Sequence, residues 1–224
     1  MQGLEIILLF GAMILVMWSQ SKVQNKYQQY SRVAVNAHYT GAEIARLILK
    51  RKGIYDVQVE MGQGLLSDHY DPRTKIVRLS PDVYNTNSVA AVSIAAHEVG
   101  HAIQHAENYG GIALRNTILP AAIVSGHLAW GVIIIGLFSN IDAIFFTGIL
   151  MLGVIALFQT ITLPVEFNAS SRAIGLLTDM GILSADERSY AKDMLSAAAF
   201  TYVAALIATL AQIMRLLLLR GRRR

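Results

Sequence analysis

The sequence His97-Glu98-Val99-Gly100-His101 carries the plainest chemistry in this chain, because it fits the pattern H-E-x-x-H. Residues at i and i+4 share one face of a helix, so both imidazoles reach a single metal ion and the glutamate flanks it. Zinc held by three protein ligands keeps a fourth position for water and lowers that water's pKa to about 7. In such a site Glu98 takes the water's proton during attack on a carbonyl and then passes it to the leaving amine. The bland alternative, a buried helix with hydrogen-bonded histidines, gives no reason for a carboxylate beside them in an apolar stretch. The chain has no cysteine, so any metal must be held by His and carboxylate.

The third ligand has to come from elsewhere. His105 lies on the same helix face, but eight residues at the helical rise put it about 12 Å from His97. The longer pattern H-E-x-x-H-x-x-G-x-x-H also fails, since its Gly and third His are missing here. His105 therefore reads as a surface or supporting residue. Glu166, in Leu163-Pro164-Val165-Glu166-Phe167-Asn168-Ala169-Ser170, is the best candidate because it opens a helix where an apolar segment ends. Its ordinary explanation is a helix-start glutamate facing the dipole. Glu43, Glu60, Glu107 and Glu187 have simpler uses as caps or surface charges. Asn168 or Asp193 are candidates for orienting a ligand imidazole. In Ser67-Asp68-His69-Tyr70-Asp71, His69 or Tyr70 is a candidate to stabilise the oxyanion on an attacked carbonyl, against a reading of the segment as turn chemistry. An exposed strand edge there would pair with an extended substrate backbone.

These residues must be positioned by elements that the charge pattern marks out. The chain is 54% hydrophobic and only 15% charged, too apolar for an ordinary soluble domain of 224 residues. Residues 4 to 18, 117 to 138, 143 to 163 and 197 to 219 are nearly free of charge, and segments of about 20 residues span a hydrocarbon core. The first is short and lacks the basic start and cleavage pattern of a secretory signal, so it reads as an uncleaved anchor. Between the membrane segments, Thr40 and Glu43 form a capping box before an amphipathic helix that stops at Gly53. Residues 55 to 61 alternate, and Asp71-Pro72-Arg73-Thr74 predicts a turn joining 65 to 70 with 75 to 80 in a small antiparallel sheet. A helix follows from about Asn87 to Glu107 and carries the histidines. Pro164 predicts the start of a separate helix through Met180, and Ser184 to Glu187 caps the last one.

Eleven Lys and Arg residues fall between Ser19 and Asn116, and Asp142 is the one charge in the 139 to 142 connection, so the polar region is expected in the cytoplasm. Basic residues beside membrane segments, without interleaved aromatics, argue against nucleic acid as a partner. Four crossings would place the basic C-terminus, Arg220 to Arg224, opposite that region, against the same rule. Either 197 to 219 crosses incompletely, which Arg215 makes reasonable, or an earlier segment is misread.

By SDHYDP at 67 to 72, TKIVRLSPDVY at 74 to 84, AAHEVGHAIQH at 95 to 105 and LPVEFNAS at 163 to 170, the chain resembles the YugP-type neutral zinc metallopeptidases of bacterial membranes. It is more distantly similar to HtpX-type membrane gluzincins. The resemblance covers nearly the whole chain and implies His97, His101 and Glu166 as ligands of one zinc ion, with Glu98 catalytic. One departure stands out: HtpX-type chains usually carry an aspartate four residues after the ligand glutamate, where this chain has Ser170.

The expected fold is a mainly α integral membrane protein with about four membrane helices and a small zincin-like α+β subdomain. Its parts are an anchor (1–20), a cytoplasmic subdomain with the H-E-x-x-H helix (21–116), a membrane hairpin (117–163), a third-ligand helix and connector (164–196), and a membrane or re-entrant helix with a basic tail (197–224). The expected function is zinc-dependent hydrolysis of peptide bonds near the bilayer, on protein or peptide substrates that include membrane proteins. The rivals are a zinc transporter, for which four spans offer little path, and a non-catalytic zinc-binding scaffold.

Overall fold

The computed structural model describes residues 2–64 and 67–221. Among the described residues the chain is mostly helical, with four helices long and apolar enough to cross a membrane and one three-stranded sheet. In order it forms α1 (Gln2–Tyr30), α2 (Gly41–Arg51), β1 (Gln58–Met61), β2 (His69–Asp71), β3 (Ile76–Leu79), α3 (Pro81–Asn85), α4 (Val89–Ala106), α5 (Gly110–Ser139), α6 (Asp142–Asp179) and α7 (Ala185–Gly221). It divides into two compact units: Met1–Gln20, Ala113–Pro164 and Phe200–Arg224 make one, and Ser21–Ile112 with Val165–Ala199 make the other.

The first unit is built from long apolar helices. Phe145, Ile133, Ala129, Leu152 and Leu216 pack into its core. Gly136 lets α5 come close to α6, since a Cβ there would strike the backbone of Phe145. Large apolar side chains face outward, including Ile7 at 67%, Phe138 at 88% and Leu150 at 70% exposure. A water-soluble monomer rarely presents such a surface.

The second unit surrounds α4. The apolar face of α2, Ile44, Ile48 and Leu49, is buried in one core with Val77, Leu79, Val83, Val99, Ile103 and Leu177. The capping box at Thr40 forms as expected: Glu43 N donates to the Thr40 hydroxyl, and the Glu43 carboxylate accepts from Thr40 N. Ser184 and Glu187 cap α7 in the same way. At the turn after β2, Asp71 accepts from Arg73 N at 2.9 Å and from the Thr74 hydroxyl at 3.0 Å.

Four expectations are corrected. The sheet is mixed: its order is β1-β3-β2, with β2 antiparallel and β1 parallel to β3. A parallel pair needs a crossover, and here the chain makes one through β2, so β3 lies in the middle. The expected strand at 65 to 70 is seen as His69–Asp71, and Leu65 and Leu66 lie outside the described residues. Pro164 does not open a new helix, because α6 runs through it. A proline forfeits one backbone bond within a helix, and long apolar helices absorb that loss. Glu166 therefore stands in mid-helix, where a helix-start dipole role does not apply. Finally, α1 covers 29 residues, longer than the apolar stretch 4 to 18 suggested.

Candidate metal centre

All the groups of the centre belong to the unit formed by Ser21–Ile112 and Val165–Ala199. Ser88 caps α4 by accepting from Ala91 N at 3.1 Å, which fixes the start of the helix two and a half turns before the first histidine. Alanines 90, 91, 95, 96 and 102 are buried along it and let neighbouring helices come close. Gly100 marks the tightest approach to α6: a Cβ there would lie 2.9 Å from the Ala169 carbonyl oxygen. With no side chain at Gly100, the α6 backbone settles between the two histidine turns.

That approach brings His97, His101 and Glu166 together, with one ligand atom from each lying within 4.8 Å of the others. Glu166 Oε2 is 3.4 Å from His97 Nε2 and 3.6 Å from His101 Nε2. The far nitrogen of each ring is also held. Ser170 Oγ lies 3.1 Å from His97 Nδ1, and Gln104 Oε1 lies 3.0 Å from His101 Nδ1. Both Nε2 atoms are thus turned toward the carboxylate. Burial by itself would lower the His101 pKa, but the Glu166 carboxylate, then Glu98 and Gln104, raise it above the ordinary value. The pocket favours a cation.

Glu98 is buried at 9% exposure, next to His97 on α4, and no hydrogen bond to its carboxylate is found among the described residues. Asp68 lies close enough to feel its charge. Burial raises the Asp68 pKa, Ser80 N–H at 2.7 Å and the Ser80 hydroxyl oppose that rise, and the Glu98 charge adds to it.

The two oxyanion candidates are placed differently. Tyr70 is packed against the core with its hydroxyl 2.8 Å from His105 Nδ1, which gives His105 a supporting role. Alternation along β2 puts His69 on the opposite face, where its exposed ring meets the Ser67 carbonyl at 2.7 Å. Neither Asn168 nor Asp193 touches a ligand imidazole: Asn168 accepts from Gln104 and Arg172, and Asp193 binds Tyr30 and Lys26. The residues that do so, Gln104 and Ser170, were not singled out for that role from sequence. The available signal was Gln104 itself, a polar residue one turn beyond His101 on the face that carries both histidines.

A His2Glu set drawn from two helices, with both far nitrogens engaged, could hold a metal ion, and its donor types are those found in zinc sites. The chain belongs to the family described as "Putative neutral zinc metallopeptidase", whose pattern matches residues 5–221. It is 42% identical over 221 residues, 98% of each chain, to a protein of Bacillus subtilis (strain 168) named "Putative membrane protease YugP". No solved structure matches it.

Proposed function

We propose that the chain is a multi-pass membrane zinc endopeptidase in which His97, His101 and Glu166 hold one zinc ion and Glu98 is the general base. The carrying observation is the convergence of three ligand atoms within 4.8 Å, with the buried Glu98 carboxylate near enough to act on His101 by its charge. Zinc bound there supplies Lewis acidity that polarises the scissile carbonyl and acidifies a water. The Glu98 carboxylate accepts that water's proton and returns it to the departing amine nitrogen. Ser170 and Gln104 keep the imidazoles facing Glu166.

Tyr70 fits the oxyanion role better than His69, because its hydroxyl lies toward α4 and stays protonated, with its pKa pushed up to about 12 by burial and then by Asp56 and Asp71. The outer strand β2 offers backbone groups for pairing with an extended substrate, which would give affinity with little sequence preference. The four long apolar helices, most of whose faces are exposed, support insertion in a bilayer. We place residues 21–116 in the cytoplasm, and segments of membrane proteins are the expected substrates.

The test is cleavage of an unfolded, membrane-associated protein by the detergent-purified chain, comparing wild type with Glu98→Gln at matched zinc content, with and without a chelator. Loss of a general base should lower the rate by about 10²- to 10⁴-fold while zinc stays bound. Zinc bound with no cleavage by any form would point to the scaffold. Metal flux into vesicles that survives Glu98→Gln would point to the transporter.

A further inference from the structure

Gln104 is fully buried, and both N–H groups of its amide and its oxygen have hydrogen-bond partners. Its Oε1 faces His101 Nδ1 at 3.0 Å, and its Nε2 donates to the Val165 carbonyl at 2.9 Å and to Asn168 Oδ1 at 2.9 Å. The direction of this network is fixed from its far end. Arg172 can only donate, and its Nε lies 2.7 Å from Asn168 Oδ1, so that oxygen is an acceptor. Gln104 must then present its nitrogen to Asn168 and its oxygen to His101. An oxygen can only accept, so His101 carries a proton on Nδ1, which leaves Nε2 as the nitrogen for a metal. The chain of contacts closes on α4, because Arg172 Nη1 pairs at 2.6 Å with Glu107, the residue that ends that helix.

We propose that Gln104 is a positioning residue that does two things with one side chain. It fixes the tautomer of His101, and it ties α4 to the Val165 carbonyl, one residue before Glu166. Two of the three ligands are thereby set by a single amide. The inference rests on the three-ligand zinc reading and adds a determinant of zinc affinity outside the ligand set. A glutamate at 104 would keep an acceptor for His101 but lose both donations to α6. A methionine, of similar length, would lose all three bonds.

Zinc dissociation constants, from chelator competition on the detergent-purified full chain, separate the possibilities, with kcat and KM read alongside. Gln104→Met should weaken zinc binding by about 10- to 100-fold and lower kcat with KM unchanged. Gln104→Glu should recover about tenfold or more of the lost affinity. Melting of the metal-free proteins checks that both variants are folded. Wild-type zinc affinity in a folded Gln104→Met overturns the inference, as does a Gln104→Glu that binds no better than Gln104→Met. His97→Ala and Glu166→Ala serve as references. If these leave zinc affinity unchanged, the ligand set itself is wrong and the inference falls with it; if they abolish binding while Gln104→Met does not, only the role of Gln104 is lost.

Discussion

Gly100→Ala sets two effects of opposite sign against each other. A Cβ at 100 would lie 2.9 Å from the Ala169 carbonyl oxygen and 3.3 Å from its Cα. Relaxed contacts lie at about 3.5 Å or more, so α6 must yield by roughly 0.6 Å. Overpacking of this kind costs about 1–3 kcal/mol. Alanine is also a better helix former than glycine by about 1 kcal/mol, which offsets part of that. The net is a loss of about 0–2 kcal/mol, or up to about 8 °C in melting temperature for a chain of this size. The effect on the metal should be larger in proportion, because Ala169 is three residues from Glu166, and metal geometry tolerates only about 0.5 Å of drift. Zinc affinity should fall about tenfold or more. Thermal unfolding of the metal-free protein and chelator competition read the two quantities separately. A higher melting temperature with unchanged zinc affinity would mean that helix propensity won and that the α4–α6 contact is soft, which would refute the claim that Gly100 sets the distance to Glu166.

Ser170→Ala removes the partner of His97 Nδ1, and zinc affinity measured by chelator competition should drop by about tenfold, with Ser170→Thr restoring it. The Tyr70 hydroxyl titrates near 12 in the folded chain, against about 10 unfolded. The native state thus holds this proton more tightly, and its contribution to stability is complete below pH 10 and lost as pH rises toward 12. The difference between wild type and Tyr70→Phe in denaturation midpoint, followed from pH 9 to 12, should shrink or reverse over that window; a constant difference would count against the shift. Because the chain has no native cysteine, single cysteines at Tyr55, 80% exposed, and Phe138, 88% exposed, should label from opposite sides of the membrane, with Tyr55→Cys reached only from the cytoplasm.

What was legible in the sequence follows from the range of the forces involved. The capping boxes at Thr40 and Ser184 and the Asp71 turn are set by residues within three positions of one another, so their spacing was enough. The relation between His97 and His101 is also local. Glu166 was reachable because few carboxylates lacked another explanation. The supporting contacts were not: Gln104 meets Asn168 across 64 positions and Ser170 meets His97 across 73, and no periodicity encodes such pairs. Helix continuity through Pro164 is not legible locally, because propensity penalises an interior proline, whereas a long apolar helix tolerates one. The parallel pairing of β1 with β3 is likewise a matter of topology, which alternation in either strand leaves open.

The same contrast bears on the last helix, whose crossing the charge pattern left undecided. Arg220, 7% exposed, donates from Nε to Asp142 at 2.7 Å and lies over the Phe145 ring at 5.7 Å. Leu216, one turn earlier, is buried in the core with Phe145 and Ile133. The end of α7 thus stands beside the turn that joins α5 to α6, while near its other end Phe200 meets Trp18 of α1 edge-on at 5.5 Å. Within that unit the described end of α7 is therefore anchored at the α5–α6 turn, and its start there, at Phe200, lies against α1. Arg222, Arg223 and Arg224 lie outside the described residues. The tail's first charge is matched by Asp142. Orientation follows the Lys and Arg balance near the ends of the spans rather than the final residues alone. On that balance in the sequence we propose a cytoplasmic metal centre.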